Sequence, residues 1–333
     1  MKTEIEMKAS EFDADELNLI SLAKEYSDED KARALLEKLL WPEGVICPHC
    51  KFNEVYKITP KTASKEPTRK GVYCCAACRK QFSVTVGTVF ERSHIPLSKL
   101  VMAIFIICSS KKSISAHQLH RMLGVTYKTA WFMAHRIRFA FGDDLNSKPL
   151  AGTVEVDETF VGGKGDGRMR NTRQTPVVAL VERGGKVRTR IVSSVSQHNL
   201  GQCLAECVDK SAVVNTDDHA AYRKPLKAYA RHDVVNHSNE EYYRANPDGT
   251  ISTTNSAESF FSLLKRGVYG SWHHVSREHL PKYANEFAFR FGTSKMTDGA
   301  RMAVAVPLFE GKRLMYRKPF ELTEKGLAFP LAR

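Results

Sequence analysis

The chain has 333 residues, and its 50 lysines and arginines exceed its 37 aspartates and glutamates, which gives a formal net charge of +13. This length allows two or three compact units, and the basic surplus favours a polyanionic partner, nucleic acid first of all. The polar, acidic opening argues against a secretion signal, and the longest apolar stretch, 100–108, is about half of the ~20 residues that span a bilayer. We therefore expect a cytoplasmic protein with no membrane partner.

The first segment, 1–42, is predicted to be helical. Five apolar residues recur at helical spacing over 28–40, which predicts an amphipathic helix. Ser27 and Asp30 resemble a capping pair, and a Trp-Pro pair at 41–42 ends the pattern.

Two Cys-x-x-Cys knuckles dominate the next segment, 43–92. Four thiolates can close a tetrahedron around Zn²⁺, and such a site stabilises a small fold directly. Cys74 competes with Cys75, but only Cys75 leaves the two-residue gap to Cys78. The alternative is a set of buried free thiols. We predict a structural zinc ribbon, with a β-rich run over 81–86, whose ligands are Cys47, Cys50, Cys75 and Cys78.

The segment 93–142 is predicted to be a small helical domain that binds DNA. Apolar residues of two consecutive helices face inward, Gly124 allows a tight turn between them, and Thr126 caps the second helix, as in a helix-turn-helix. The alternative is an ordinary helical hairpin with a solvated basic face. On the helix-turn-helix interpretation, the second helix presents to DNA the side chains of Tyr127, Lys128, Arg136 and Arg138.

Residues 150–292 alternate strand and helix patterns, which indicates a mixed α/β domain. A basic tail, 293–333, follows it. The predicted strands cover 153–160, 177–182, 187–195 and 213–216, and the predicted helices cover 200–209, 220–230 and 255–268.

Three acidic residues of this domain carry its predicted chemistry. Asp157 lies in a strand-like run, where a buried carboxylate is costly unless a metal or a base compensates it. Asp217 ends an apolar strand, at the edge where open α/β sheets bind ligands. On the helix 255–268, Glu258 and Lys265 lie two turns apart on one face, placed to hold a metal and a neighbouring phosphate.

A glycine-containing basic loop follows the first strand of this domain. Its cations are placed to contact the DNA backbone, although a solvated flexible loop is the alternative. The candidates are Lys164, Arg168 and Arg170.

Several longer motifs resemble the ISXO2-like (IS1595) family of insertion-sequence transposases, which are of the DDE type. They are Val-Asp-Glu-Thr-Phe-Val-Gly-Gly-Lys at 156–164, Thr-Asp at 216–217, and Thr-Asn-Ser-Ala-Glu-Ser-Phe-Phe-Ser-Leu-Leu-Lys-Arg-Gly at 254–267. With the ribbon included, the resemblance covers roughly 30–292.

The resemblance implies an α+β multidomain protein in which a zinc ribbon and a helix-turn-helix precede an RNase H-like α/β catalytic domain. It places the carboxylates that hold two Mg²⁺ or Mn²⁺ ions on Asp157, Asp217 and Glu258, with Lys265 as the basic residue. Relatives differ in whether the third ligand is acidic or an asparagine, so Asn255, one turn earlier, stays an alternative. We favour Glu258 because a carboxylate binds hard dications better than an amide does.

The implied function is that of a DNA transposase, which binds the ends of an insertion sequence, cleaves the DNA and joins the 3′-hydroxyl ends to target DNA. We accordingly expect a nucleoid-associated chain that acts as a homo-oligomer in a synaptic complex. Two other functions are possible on this fold, and different observations distinguish them from a transposase. A non-catalytic DNA-binding regulator need not keep the acids, which are intact here, and an RNase H-like nuclease would cut DNA without joining it.

Overall fold

The computed structural model describes most of the chain, and the residues divide into two compact units. One unit comprises 1–109, 116–140 and 297–333, and the other comprises 110–115 and 141–296. The described ranges are 17–59, 70–142, 148–163, 174–236 and 243–316, together with the backbone of two short strands near the C-terminus.

Helices account for most of the first unit and cover both faces of the sheet in the second. The helices among the described residues are α1 (Leu19–Glu25), α2 (Glu29–Leu40), α3 (Leu97–Ser109), α4 (Ala116–Leu123), α5 (Tyr127–Ala140), α6 (Gln197–Cys207), α7 (Asn255–Arg266), α8 (Leu280–Gly292) and α9 (Asp298–Ala305). Among these residues, no helix is both long enough and apolar enough to cross a bilayer.

The strands form one large sheet and several small ones. A three-stranded antiparallel sheet and a five-stranded mixed sheet are accompanied by two hairpins. The strands are β1 (Val55–Lys57), β2 (Tyr73–Cys75), β3 (Gln81–Phe82), β4 (Thr153–Val161), β5 (Thr175–Glu182), β6 (Val187–Ile191), β7 (Val213–Asp217), β8 (Arg231–Val235), β9 (Arg244–Ala245), β10 (Ile251–Ser252), β11 (Phe320–Leu322) and β12 (Ala328–Pro330).

The small sheet β1-β2-β3 packs against the C-terminal end of helix α2. The predicted helix is confirmed, but its cap is Asp28, whose Oδ1 accepts the N–H groups of Asp30 and Lys31 at 2.9 Å, and not the predicted pair of Ser27 and Asp30. Trp41 then contacts Tyr73 and Phe82 edge-on, with ring centroids 5.8 and 6.1 Å apart. The β-rich run predicted over 81–86 forms a strand only at its first two residues.

Helices α4 and α5 are joined by a tight turn. Gly124 has a φ of +58°, a value that glycine adopts without strain, and Thr126 Oγ1 accepts the N–H of Thr129 at 3.2 Å. Leu119 of α4 and Met133 of α5 are buried between the helices and the rest of the unit. The predicted turn and cap are therefore confirmed.

The five-stranded sheet of the second unit has the order β6-β5-β4-β7-β8. Strand β4 pairs antiparallel with β5 and parallel with β7, and β8 continues the parallel side. One face packs against α6, and the other packs against α7 and α8. Because both faces are covered, β5 is buried at every position except its last.

One predicted helix of this unit was wrong. The segment 220–230 forms two short 3₁₀ turns, Ala220–Tyr222 and Pro225–Ala228, in place of one α-helix. Pro225 has no N–H to donate and its ring collides with the preceding turn, so a continuous α-helix cannot run through it. The other predicted helices are confirmed, although α7 ends at Arg266 and a π-helical turn, Gly267–Trp272, follows it.

We expect Gly267→Ala to lower the free energy of unfolding by about 1–3 kcal/mol, as overpacked core sites do. A Cβ at position 267 would overlap the Phe287 ring, whereas one at Gly270 would meet no atom within 4 Å. Gly270→Ala is therefore the matched control, in the same turn, and chemical denaturation should show it close to the wild type. Equal stability of the two variants would contradict this packing.

Candidate functional site

The four predicted cysteines converge in the first unit. Two of the sulfur pairs, Cys47–Cys78 and Cys50–Cys75, lie 3.7 and 3.5 Å apart, and all four sulfurs lie within 4.8 Å of one another. Cys74, the rejected competitor, instead directs its Sγ to the carbonyl oxygens of Cys75 and Arg79. The structure therefore groups Cys75, and not Cys74, with the other three cysteines.

The backbone of both knuckles follows the same path. Lys51 and Arg79, each one residue after the second cysteine, have φ values of +61° and +59°. Their N–H groups donate back to the carbonyl oxygens of Cys47 and Cys75 at 2.9 and 3.1 Å. Such left-handed turns cost free energy in residues other than glycine and aim both thiols of a knuckle at one point. Four thiolates around one point fit a tetrahedral Zn²⁺.

Two of the predicted acids meet in the large sheet of the second unit. Each paired residue of β4 lies opposite the residue 60 positions later in β7. The pairing ends with Glu155 opposite Asn215. Asp157 and Asp217 lie two residues beyond that pair on their own strands. Adjacent strands are ~4.8 Å apart and alternate side chains share a face, so the register brings the two carboxylates side by side.

Asp157 is in an environment that opposes its negative charge. Burial raises the pKa of Asp157 to about 7, and the charges of Glu158, Asp217 and Glu258 act in the same direction. Asp157 Oδ1 accepts a hydrogen bond from the N–H of Glu158 at 2.8 Å, which lowers the pKa but offsets the rise only in part. A nearby cation would stabilise the ionised form of a carboxyl that is buried among other carboxylates in this way.

Helix α7 brings the third acid towards this pair. Glu258 and Asn255 are exposed in its first turn, and Lys265 is half-buried two turns after Glu258. Among the residues described, only the four cysteines bring all their ligand atoms within 4.8 Å of one another, so the carboxylates form a looser cluster. The helix keeps its place by packing Ala257, Phe260 and Leu264 into the core.

Two further glutamates of β4 border the acids and differ in environment. Glu158, on the opposite face, accepts the buried Tyr222 hydroxyl at 2.5 Å, and burial raises the pKa of its carboxyl. Glu155 shares the face of Asp157 but is fully buried, bonded to Arg183 and Ser256. Sequence reasoning did not assign Glu155 a role, although an acidic residue at a buried position of a strand was a signal for one.

The residues predicted to contact DNA from α5 are in different environments. Tyr127 and Lys128 are exposed, and the Lys128 ammonium lies 4.8 Å from the Tyr316 ring centroid. Arg136 is half-buried and donates to the carbonyl of Glu91 at 3.3 Å.

The structure corrects the prediction that Arg138 contacts DNA. Its side chain is only 1% exposed, so it cannot reach a phosphate in this conformation. Lys164, Arg168 and Arg170 lie outside the described residues.

Comparison with known proteins decides the family. The ISXO2-like transposase domain matches 149–292, and the transposase zinc-ribbon domain matches 27–81. An uncharacterised protein in transposable element ISH50 of Halobacterium salinarum is 30% identical over 289 residues, which cover 80% of this chain and 92% of that protein. The chain belongs to the ISXO2-like transposase family. Its matched ranges contain all four cysteines and the three acids, and membership implies a DNA-acting protein with a zinc ribbon.

We expect this ISXO2-like transposase to bind one Zn²⁺ per chain through its four clustered thiols. Cys75→Ser should lose the metal, because a hydroxyl is a poor replacement for a thiolate ligand. Cys74→Ser is the adjacent control and should retain it. Metal analysis of the purified proteins tests both, and a zinc content that Cys75→Ser leaves unchanged would show that this cluster is not the site.

Proposed function

We propose that this chain is a DNA transposase that cleaves the ends of its element and joins them to target DNA. The observation that carries the proposal is the convergence of Asp157, Asp217 and Glu258 from β4, β7 and α7 in a chain of a transposase family. The order of the large sheet, three antiparallel strands followed by two parallel ones, supports an RNase H-like domain.

The three carboxylates fit hard divalent cations, because their oxygens are the ligands that Mg²⁺ and Mn²⁺ prefer. Two such ions, when bound, would activate the attacking oxygen and stabilise the leaving oxygen. Asp157, Asp217 and Glu258 would hold these ions. Lys265 lies farther along α7, where its ammonium can neutralise a phosphate of the DNA.

The reaction has two successive steps at phosphorus. In the first, water attacks a phosphodiester at the end of the element, the bond between phosphorus and O3′ breaks, and a 3′-hydroxyl leaves with the proton that water supplies. In the second, that 3′-hydroxyl attacks a phosphodiester of the target and displaces another 3′-hydroxyl. Both steps exchange one phosphorus–oxygen bond for another, so neither needs an oxidant or a nucleotide.

Helices α4 and α5 support a helix-turn-helix assignment, in which α5 contacts the ends of the element. The tight turn at Gly124 and the exposure of Tyr127 and Lys128 at the start of α5 favour this geometry, because early residues of a recognition helix reach the base edges. Arg136 and the buried Arg138 would act by holding α5 in place. A synaptic complex of several copies would bring two ends together.

We expect Asp157→Asn and Asp217→Asn each to abolish strand cleavage and joining, while DNA binding stays near that of the wild type. Each change removes a ligand together with the charge that makes two adjacent dications tolerable. A Mg²⁺-dependent assay on end-containing duplexes measures cleavage and joining separately. Cleavage without joining would favour a nuclease of the same fold, and full activity of either variant would overturn the proposed site.

The identity of the third ligand has its own comparison. We expect Glu258→Gln to reduce cleavage far more than Asn255→Ala, because only Glu258 contributes a negative charge. Both residues are exposed in the first turn of α7, so neither change should alter stability. An active Glu258→Gln beside an inactive Asn255→Ala would assign the ligand to Asn255.

We expect Lys128→Ala to weaken end binding. The slope of log K against log salt concentration, which is negative, should become less steep by about 1, as loss of one phosphate contact predicts. Lys24→Ala, an exposed lysine of α1, is the matched control and should change neither quantity. Binding measured at several salt concentrations decides the matter. An unchanged slope in Lys128→Ala would leave α4 and α5 as a helical hairpin of structural importance only.

A further inference from the structure

The start of α7 is held by a buried carboxylate of another element. Thr254, the residue before the helix, makes no capping hydrogen bond with its side chain. Glu155 of β4 supplies that contact: its Oε2 accepts the N–H of Ser256 at 2.7 Å, and its Oε1 accepts the Ser256 hydroxyl at 3.1 Å. A carboxylate at a helix N-terminus satisfies a free donor and interacts favourably with the helix dipole.

The charge of Glu155 is compensated within the protein. Glu155 is fully buried, and its Oε1 accepts Nε and Nη2 of Arg183 at 3.3 and 3.1 Å. The third guanidinium nitrogen of Arg183 donates to the carbonyl of Ile251 at 2.9 Å, which ties β10 to the same group. Glu155 thus accepts three hydrogen bonds at Oε1 and one at Oε2, which together occupy the roughly four lone-pair sites of a carboxylate. This argues that Glu155 is not a ligand, although it lies two residues before Asp157.

A second contact comes from the strand beside it. Asn215 of β7 pairs with Glu155 in the sheet register, and its side chain donates to the carbonyl of Thr253 at 3.3 Å. The pair Glu155 and Asn215 therefore holds both sides of the start of α7. The next pair of positions on that face, Asp157 and Asp217, provides the acids, at a distance of two strand residues or ~6.6 Å.

We propose that Glu155 is a positioning residue for the metal site, fixing α7 so that its first turn faces Asp157 and Asp217. The inference rests on the proposed function, and it holds whether Glu258 or Asn255 is the third ligand, because both belong to that turn. Residues that orient metal ligands affect metal affinity without touching the ion.

The test is Mn²⁺ binding to the full-length zinc-loaded chain, measured by calorimetry. Glu155→Gln keeps the shape of the side chain but removes its charge, and we expect Mn²⁺ affinity to fall about 10-fold or more. Ser256→Ala removes only the hydroxyl contact and should cause a smaller loss. Glu182→Gln, at the end of the neighbouring strand β5, is the control and should bind as the wild type does. Circular dichroism and zinc content verify that each variant is folded.

Each result has a definite meaning. Unchanged Mn²⁺ affinity in folded Glu155→Gln would overturn the inference, and a loss as complete as that of Asp157→Asn would make Glu155 a ligand, which also overturns it. If Glu155→Gln does not fold, the Ser256→Ala/Asn215→Ala double variant keeps the ion pair, and its unchanged affinity would have the same consequence. A wild type that binds Mn²⁺ through Asp157 but never cleaves DNA would instead defeat the proposed function alone.

Discussion

The parallel pairing of β4 with β7 is the constraint on which the site depends. The constant offset of 60 residues sets Glu155 beside Asn215. Extended by two residues along both strands, the same offset places Asp157 near Asp217. A slip of one residue would turn one strand's acids to the other face of the sheet. The apolar residues between them resist such a slip, because Val154 and Val156 are packed against α6 on the opposite face. The core packing therefore fixes the register, and the register places the acids.

Two carboxylates on one face of β4 illustrate how the environment divides structural from chemical tasks. Glu155 accepts hydrogen bonds from Arg183 and from the N–H of Ser256 at the start of α7, so its charge is compensated and its position fixed. Asp157 receives one backbone N–H, which only partly offsets the effect of burial and of the neighbouring acids, and its pKa rises to about 7. Glu155 is fully buried and Asp157 partly so, and the more buried of the two is the one with the larger supply of donors. A carboxyl without enough donors is the one suited to bind a cation.

The sequence predicted best what depends on short spacing. Cys-x-x-Cys knuckles specify a local backbone path, and the four cysteines lie together as that spacing predicts. The helix predicted over 255–268 is also present, as Asn255–Arg266. The contact of Glu155 with Ser256 spans 101 positions and has no local signal. Arg138 was predicted to face DNA, yet it lies four residues after buried Ala134 on the same side of α5. Its charge was given more weight than its helical position, and the position decides its burial.

The cysteine cluster and the proposed carboxylate site differ in how completely the chain assembles them. The four thiols lie within 4.8 Å of one another before any ligand is considered, whereas the carboxylates form no such group among the described residues. Thiolates select zinc and carboxylates select harder ions, so one chain can hold both kinds without competition. On the proposed mechanism, this difference in how closely the ligand atoms are grouped follows from the chemistry. A structural ion needs a complete set of protein ligands, whereas catalytic ions need open positions for the DNA phosphate and the attacking oxygen.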